Sequence, residues 1–169
     1  MKTTRLTTTL FGSLAAALLC APFVTPVAVA QMPGHVMDDL STTKWGAAPP
    51  MLPAGAQIAV LAGDPTKAGP YTVRLKFPAK YDIPAHSHPT DENVVVVSGA
   101  LFTGIGTKLD KKAGPGLGVG GFALMPANVN HFAYTKGETT IVLYGQGPVE
   151  FKYVNPADDP RTKTSTSRK

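Results

Sequence analysis

From Gln57 onward the sequence is a succession of short β-prone runs, each cut off by Gly, Pro, Asp or Asn before a helix could complete its turns. The runs are 57–61, 71–77, 83–88, 92–97, 101–106, 121–125, 131–134, 140–144 and 149–153. No amphipathic helical pattern competes with them, and so many closely spaced strands restrict the chain to an all-β sandwich or barrel. Alternation orients the strands: Tyr71, Val73, Leu75 and Phe77 share one face, and Thr72, Arg74 and Lys76 the other. The first set is expected to face the core. In 92–97, Val94 and Val96 share the inward face of Glu92, yet Val95 and Val97 are apolar too, so something must cover the outer face. A second subunit or the N-terminal segment would serve.

The β region carries a potential metal-ligand set. His86-Ser87-His88 places two imidazoles on one side of a strand, about 7 Å apart along the chain. Pro89 then favours a turn, and Glu92 starts the returning strand beside them. A second block, 120–131, runs from Gly120-Gly121 through a short apolar strand and a Pro126/Asn128 turn to His131. Three imidazoles and one carboxylate suit a divalent transition ion: Zn, Cu, Mn, Ni, Co or Fe. An isolated strand histidine is more often a packing or surface residue, but three of the four histidines fall in these two blocks. The fourth, His35, lies in an unpatterned stretch.

The two blocks closely resemble the signature motifs of the cupin superfamily. His-x-His, three residues, Glu, six residues, Gly matches His86 through Gly99 without a gap, and the second motif matches Gly120, Pro126 and His131. Lys80 and Asn128 stand where the motifs carry glycine. Asn128 is of a type that tolerates the left-handed turn conformation. Thr135 replaces the asparagine four residues after the last histidine, so no outer-sphere role is carried over to it. The resemblance spans about residues 54 to 153. It implies a double-stranded jelly-roll β-barrel in which His86, His88, Glu92 and His131 hold one metal ion, with Glu92 also available as a proton acceptor. It further implies a range of functions, from dioxygenases, oxalate-degrading enzymes and isomerases to non-catalytic metal-dependent binding or sensing proteins. A dioxygenase-type oxidoreductase acting on a small organic substrate is the leading expectation, with binding or sensing without turnover as the alternative. The inward side chains, Leu75, Phe77, Val94, Val96, Ala133, Phe151 and Tyr153, predict an apolar pocket suited to a weakly polar ligand such as a phenolic or a diketone. Arg74, Asn130 and Tyr134 are the nearest polar groups, with Arg74 and Tyr134 pointing outward by alternation.

Residues 1–30 read as a secretory signal peptide: Lys2 and Arg5, an apolar stretch from Leu10 to Leu19, and Ala28-Val29-Ala30 before Gln31. The mature protein is expected in the periplasm or outside the cell, with no membrane association after cleavage. Lipidation at Cys20 is a weaker alternative, because Leu19 precedes it. Cleavage after Ala30 removes that cysteine, the chain's only one, and with it any thiol chemistry. The segment lacks twin arginines, so export in an unfolded state is expected and the ion would be acquired outside the cytoplasm, where Zn or Cu competes well.

The remaining residues divide into an N-terminal arm (31–53), the barrel (54–155) and a flexible tail (156–169), one domain in all. The formal charge of +5 gives no nucleic-acid surface. From Gln31 to Pro160 ten basic residues face eleven acidic ones, and the excess lies in the leader and the tail. Gly116 to Gly121 satisfies the G-x-G-x-x-G pattern but opens no helix, so it reads as a loop between strands. Partners are thus expected to be a small-molecule ligand and a second copy of the chain.

Overall fold

The computed structural model describes residues 36–163. The expected signal peptide (1–30), with Cys20, as well as His35 and the last residues of the tail, lie outside them. Eleven strands form: β1 (Gly46–Ala47), β2 (Gln57–Ala62), β3 (Gly69–Phe77), β4 (Asp82–Ser87), β5 (Glu92–Ser98), β6 (Leu101–Ile105), β7 (Gly116–Leu117), β8 (Phe122–Met125), β9 (His131–Thr135), β10 (Thr139–Gly147) and β11 (Lys152–Tyr153). A 3₁₀ turn (Pro156–Asp158) and a single helical turn (Pro160–Lys163) follow, in the stretch expected to be flexible. No helix among the described residues is long and apolar enough to cross a membrane.

All pairings are antiparallel, in two sheets ordered β1-β2-β3-β10-β5-β8 and β11-β4-β9-β6-β7. From β3 onward the chain mostly alternates between sheets, which is the jelly-roll path. The two sheets share no strand, so the ladder does not close into a barrel: the structure is a sandwich whose edges are strands of two to four residues. The core lies between the sheets, with Phe77, Val94, Val96 and Leu101 almost fully enclosed. Residues 71–77 alternate as expected, with Tyr71, Val73, Leu75 and Phe77 buried.

The outer face of the six-stranded sheet is partly covered by the N-terminal arm. The half-buried Arg74 guanidinium bonds to the Asp38 carboxylate, the Thr43 hydroxyl and the Asp38 carbonyl, and Lys76 lies 4.5 Å over the Trp45 ring. The β10-β5-β8 half of that face has no cover among the described residues, and Phe122, Leu124 and Tyr144 are exposed on it. On the second sheet, β9 is buried on both faces. Tyr134, expected to point outward to solvent, does point outward but is only 3% exposed. Its ring stacks on Phe102 and its hydroxyl donates to the Lys111 carbonyl of the overlying 106–115 loop. The glycine-rich 116–121 stretch is β7 followed by a turn, with Gly120 N–H donating to Val96 O and Val96 N–H to Gly121 O.

Candidate metal centre

A β-bulge sets the first histidine. Ile83 pairs with Ala133 and His86 with His131, so three steps along β4 correspond to two along β9. The extra residue brings both Ile83 and His86 to the inward face, where strict alternation would have separated them. Pro84 sits in the bulge, needing no ladder hydrogen bond of its own, and its carbonyl accepts from His86 Nδ1 at 2.7 Å. His88, just beyond β4, donates from Nδ1 to Glu150 O at 2.7 Å, and His131 from Nδ1 to Val129 O at 3.0 Å. Each imidazole is therefore tethered through one nitrogen, which leaves Nε2 as the free lone pair.

Those lone pairs converge. The candidate ligand atoms of His86, His88 and His131 all lie within 4.8 Å of one another, and all three residues are buried. Glu92, the first residue of β5, closes the set: its Oε1 is 3.5 Å from His88 Nε2 and its Oε2 3.7 Å from His131 Nε2. These separations are too long for hydrogen bonds, so Nε2 of His88 and of His131 are buried without a partner. Two orphaned nitrogens beside a buried carboxylate cost several kcal/mol unless something binds them, on the order of 1–3 kcal/mol each. A divalent cation at their centre would satisfy all four groups, and the donor set of three neutral imidazoles and one carboxylate fits a first-row transition ion.

The electrostatics of His86 and Glu92 agree. Burial, reinforced by the neighbouring His131 and His88, pushes His86 down to about 3, so its ring is neutral, as a ligand must be. Burial opposes the charge on Glu92, but His131 and His88 outweigh it and hold the carboxyl well below the usual carboxylate range. His88 is likewise disfavoured by burial and, on balance, raised by Glu92.

Backbone contacts lock the two sequence blocks together. Asn128 N–H donates to His88 O at 2.7 Å and Ala127 N–H to the Asp91 carboxylate at 2.8 Å. Asn128 and Lys80, at the positions where the motifs carry glycine, are the two described non-glycine residues with positive φ, at 62° and 60°. Thr135 is buried and engaged elsewhere: its hydroxyl donates to Pro78 O and accepts from Tyr81 N–H.

The imidazoles open onto apolar space. Phe151 stacks on His86 with ring centroids 4.5 Å apart. A cavity of about 30 Å³ beside the histidines is walled by Leu75, Phe77, Val94, Ala133 and Phe151 as expected, and also by Leu52 of the arm. An adjoining cavity of about 110 Å³ shares Glu92, Leu75, Leu143 and Phe151 with it and continues to Met51, Tyr71 and Val149. Arg74 and Tyr134 are committed elsewhere, and Asn130 is engaged through its carbonyl by Gly106 N–H. Tyr71 was legible as a core-facing residue but not as part of the site, because its link to Glu92 depends on which strand lies between them.

A sandwich of this topology, with imidazoles from two neighbouring strands and a carboxylate from the facing sheet turned inward, has the cupin fold. More particularly, the chain belongs to the family described as "Domain of unknown function (DUF4437)", whose model matches residues 26–161. No curated protein matches the sequence. Among solved structures, it is similar to the polyketide cyclase RemF of Streptomyces resistomycificus (TM-score 0.58, 15% identity, 80% of this chain and 95% of that one). It is also similar to a candidate acetylacetone dioxygenase of Methylibium petroleiphilum (0.55, 16%, 76% and 89%). A third is an RmlC-like cupin of Shewanella frigidimarina (0.52, 14%, 67% and 91%). At these identities the likeness is one of fold.

Proposed function

We propose that the chain is an exported metal-binding cupin working as a metal-dependent oxidoreductase of the dioxygenase type on a small organic molecule. The observation that carries this reading is the convergence of three backbone-tethered imidazoles on Glu92 at the head of an apolar cavity. His86, His88, His131 and Glu92 would hold the ion. When bound, a divalent transition ion would supply a Lewis-acidic centre and, for metals other than zinc, a redox-capable one. The tethers keep the imidazoles in one tautomer, Leu75, Leu143 and Phe151 exclude water, and ionised Glu92 offers a proton acceptor at the mouth of the cavity. The apolar walls favour a weakly polar ligand such as a phenolic or a diketone. The fold neighbour bearing the dioxygenase name is consistent with this direction.

Oxygen uptake by the protein loaded in turn with Fe, Mn, Ni, Cu and Co, against a panel of flavonols and diketones, tests the proposal. Turnover with at least one pairing is expected, and inactivity across the whole matrix contradicts it. Ligand-dependent thermal shifts without uptake would instead support a binding or sensing role. Export favours Zn or Cu, and stoichiometric iron in protein isolated from the periplasm would contradict that preference. The uncharged outer rows Val95–Val142 and Asn93–Tyr144, with exposed Phe122 and Leu124 beside them, favour a homodimer.

A further inference from the structure

Four tyrosines are buried in this protein, and three spend their hydroxyls on backbone carbonyls: Tyr81 on Pro53, Tyr134 on Lys111 and Tyr153 on Met51. Tyr71 does not. Although only 5% exposed, its hydroxyl makes no hydrogen bond among the described residues, and it borders the larger cavity together with Glu92. That hydroxyl is therefore free to donate to a molecule that enters the cavity.

The register shows where that partner would be. Gly145 of β10 pairs with Tyr71 of β3 on one side and with Glu92 of β5 on the other. Two strand spacings put the Tyr71 and Glu92 backbones roughly 10 Å apart. The residue between them has no side chain, and the phenol uses that space: a Cβ on Gly145 would lie 3.4 Å from the Tyr71 oxygen and 3.6 Å from its ring. The ring thus reaches over Gly145 of β10 toward Glu92, and both residues line the same cavity. Glu92 already faces His88 and His131 with its two oxygens, so Tyr71 is not needed to hold the carboxylate.

We infer that Tyr71 is a ligand-positioning residue, donating a hydrogen bond to the acceptor atom of a molecule bound at the open side of the His86, His88, Glu92 and His131 centre. Apart from Thr66, the rest of the cavity, with Met51, Ile58, Val73 and Val149, offers apolar contact to the body of that molecule. The class of ligand is therefore a compact apolar compound with one metal-directed oxygen. The inference rests on the metal-binding reading above.

The test uses Co(II)-loaded protein and azide, a small anion that fills an open coordination position and accepts a hydrogen bond, with binding followed by cobalt visible absorption. Tyr71→Phe keeps the ring and removes only the donor. The variant is expected to match the parent in Co(II) content and melting temperature while binding azide about tenfold more weakly, the size of one hydrogen bond to a charged acceptor. Equal azide affinity in parent and variant, or a variant that loses its cobalt, overturns the assignment while leaving the metal centre standing. A parent that takes up no Co(II) overturns the metal reading itself.

Discussion

Lys80 and Asn128 hold the two turn positions that cupin motifs give to glycine, and both adopt the left-handed conformation that a Cβ disfavours. Lys80→Gly is expected to raise stability by up to about 1 kcal/mol, since relief of the steric cost exceeds glycine's entropic one. Asn128→Gly should gain less, because Asn visits this region more readily. Urea midpoints would register both, and a loss at Lys80 would contradict the account. His86 gives a pH signature to the metal-free protein. Its folded value of about 3 lies below an unfolded value near 6.5, so between them the unfolded chain binds a proton the folded chain does not. Stability from this ring is fully present above about 6.5 and is lost as the pH falls toward about 3. His88 is shifted the opposite way, so its contribution is lost on the alkaline side, above that window. The urea midpoint of chelator-treated protein should therefore be lower at pH 4.5 than at pH 6.5, and an unchanged or higher midpoint would contradict the assignment.

Elements differ in how well the sequence announces them. β3 and β5 are plain from period-two alternation and from the Val run, and both histidine blocks fall on strands or strand ends as their spacing predicts. The bulge between Ile83 and His86 is not visible, because one inserted residue leaves composition and local propensity unchanged while reversing which faces pair. β1 and β7, of two residues each, are too short to show any period. The run expected at 149–153 pairs only at Lys152 and Tyr153, since Val149 N–H donates to Pro65 O in a loop instead. The arm carries an unforeseen ion pair: Arg74, with a side chain 12% exposed, reaches Asp38. Asp38→Ala leaves that guanidinium short of its carboxylate and should cost about 1 kcal/mol, visible in the melting temperature. Metal content should not change, because Arg74 faces away from the histidines. A variant as stable as the parent would show that the arm does not depend on this contact.

At the scale of the whole molecule, the hydrophobic core and the metal centre are separable. Phe77, Val94, Val96 and Leu101 close the sandwich without help from an ion, so the metal-free chain should fold, and a metal that binds only the folded state should raise its stability by roughly 4 kcal/mol at a thousandfold excess over Kd. The exposed row on β8 and β10 predicts that Phe122→Asp shifts the protein from dimer to monomer in light scattering; a parent already monomeric would remove that proposal. The central claim is that side chains from β4, β5 and β9 share one cation, and elemental analysis of dialysed parent and His88→Ala protein tests it most directly. About one transition-metal ion per chain in the parent, and little in a variant that keeps its β circular dichroism, is the expected result. Equal metal content in the two proteins would contradict it.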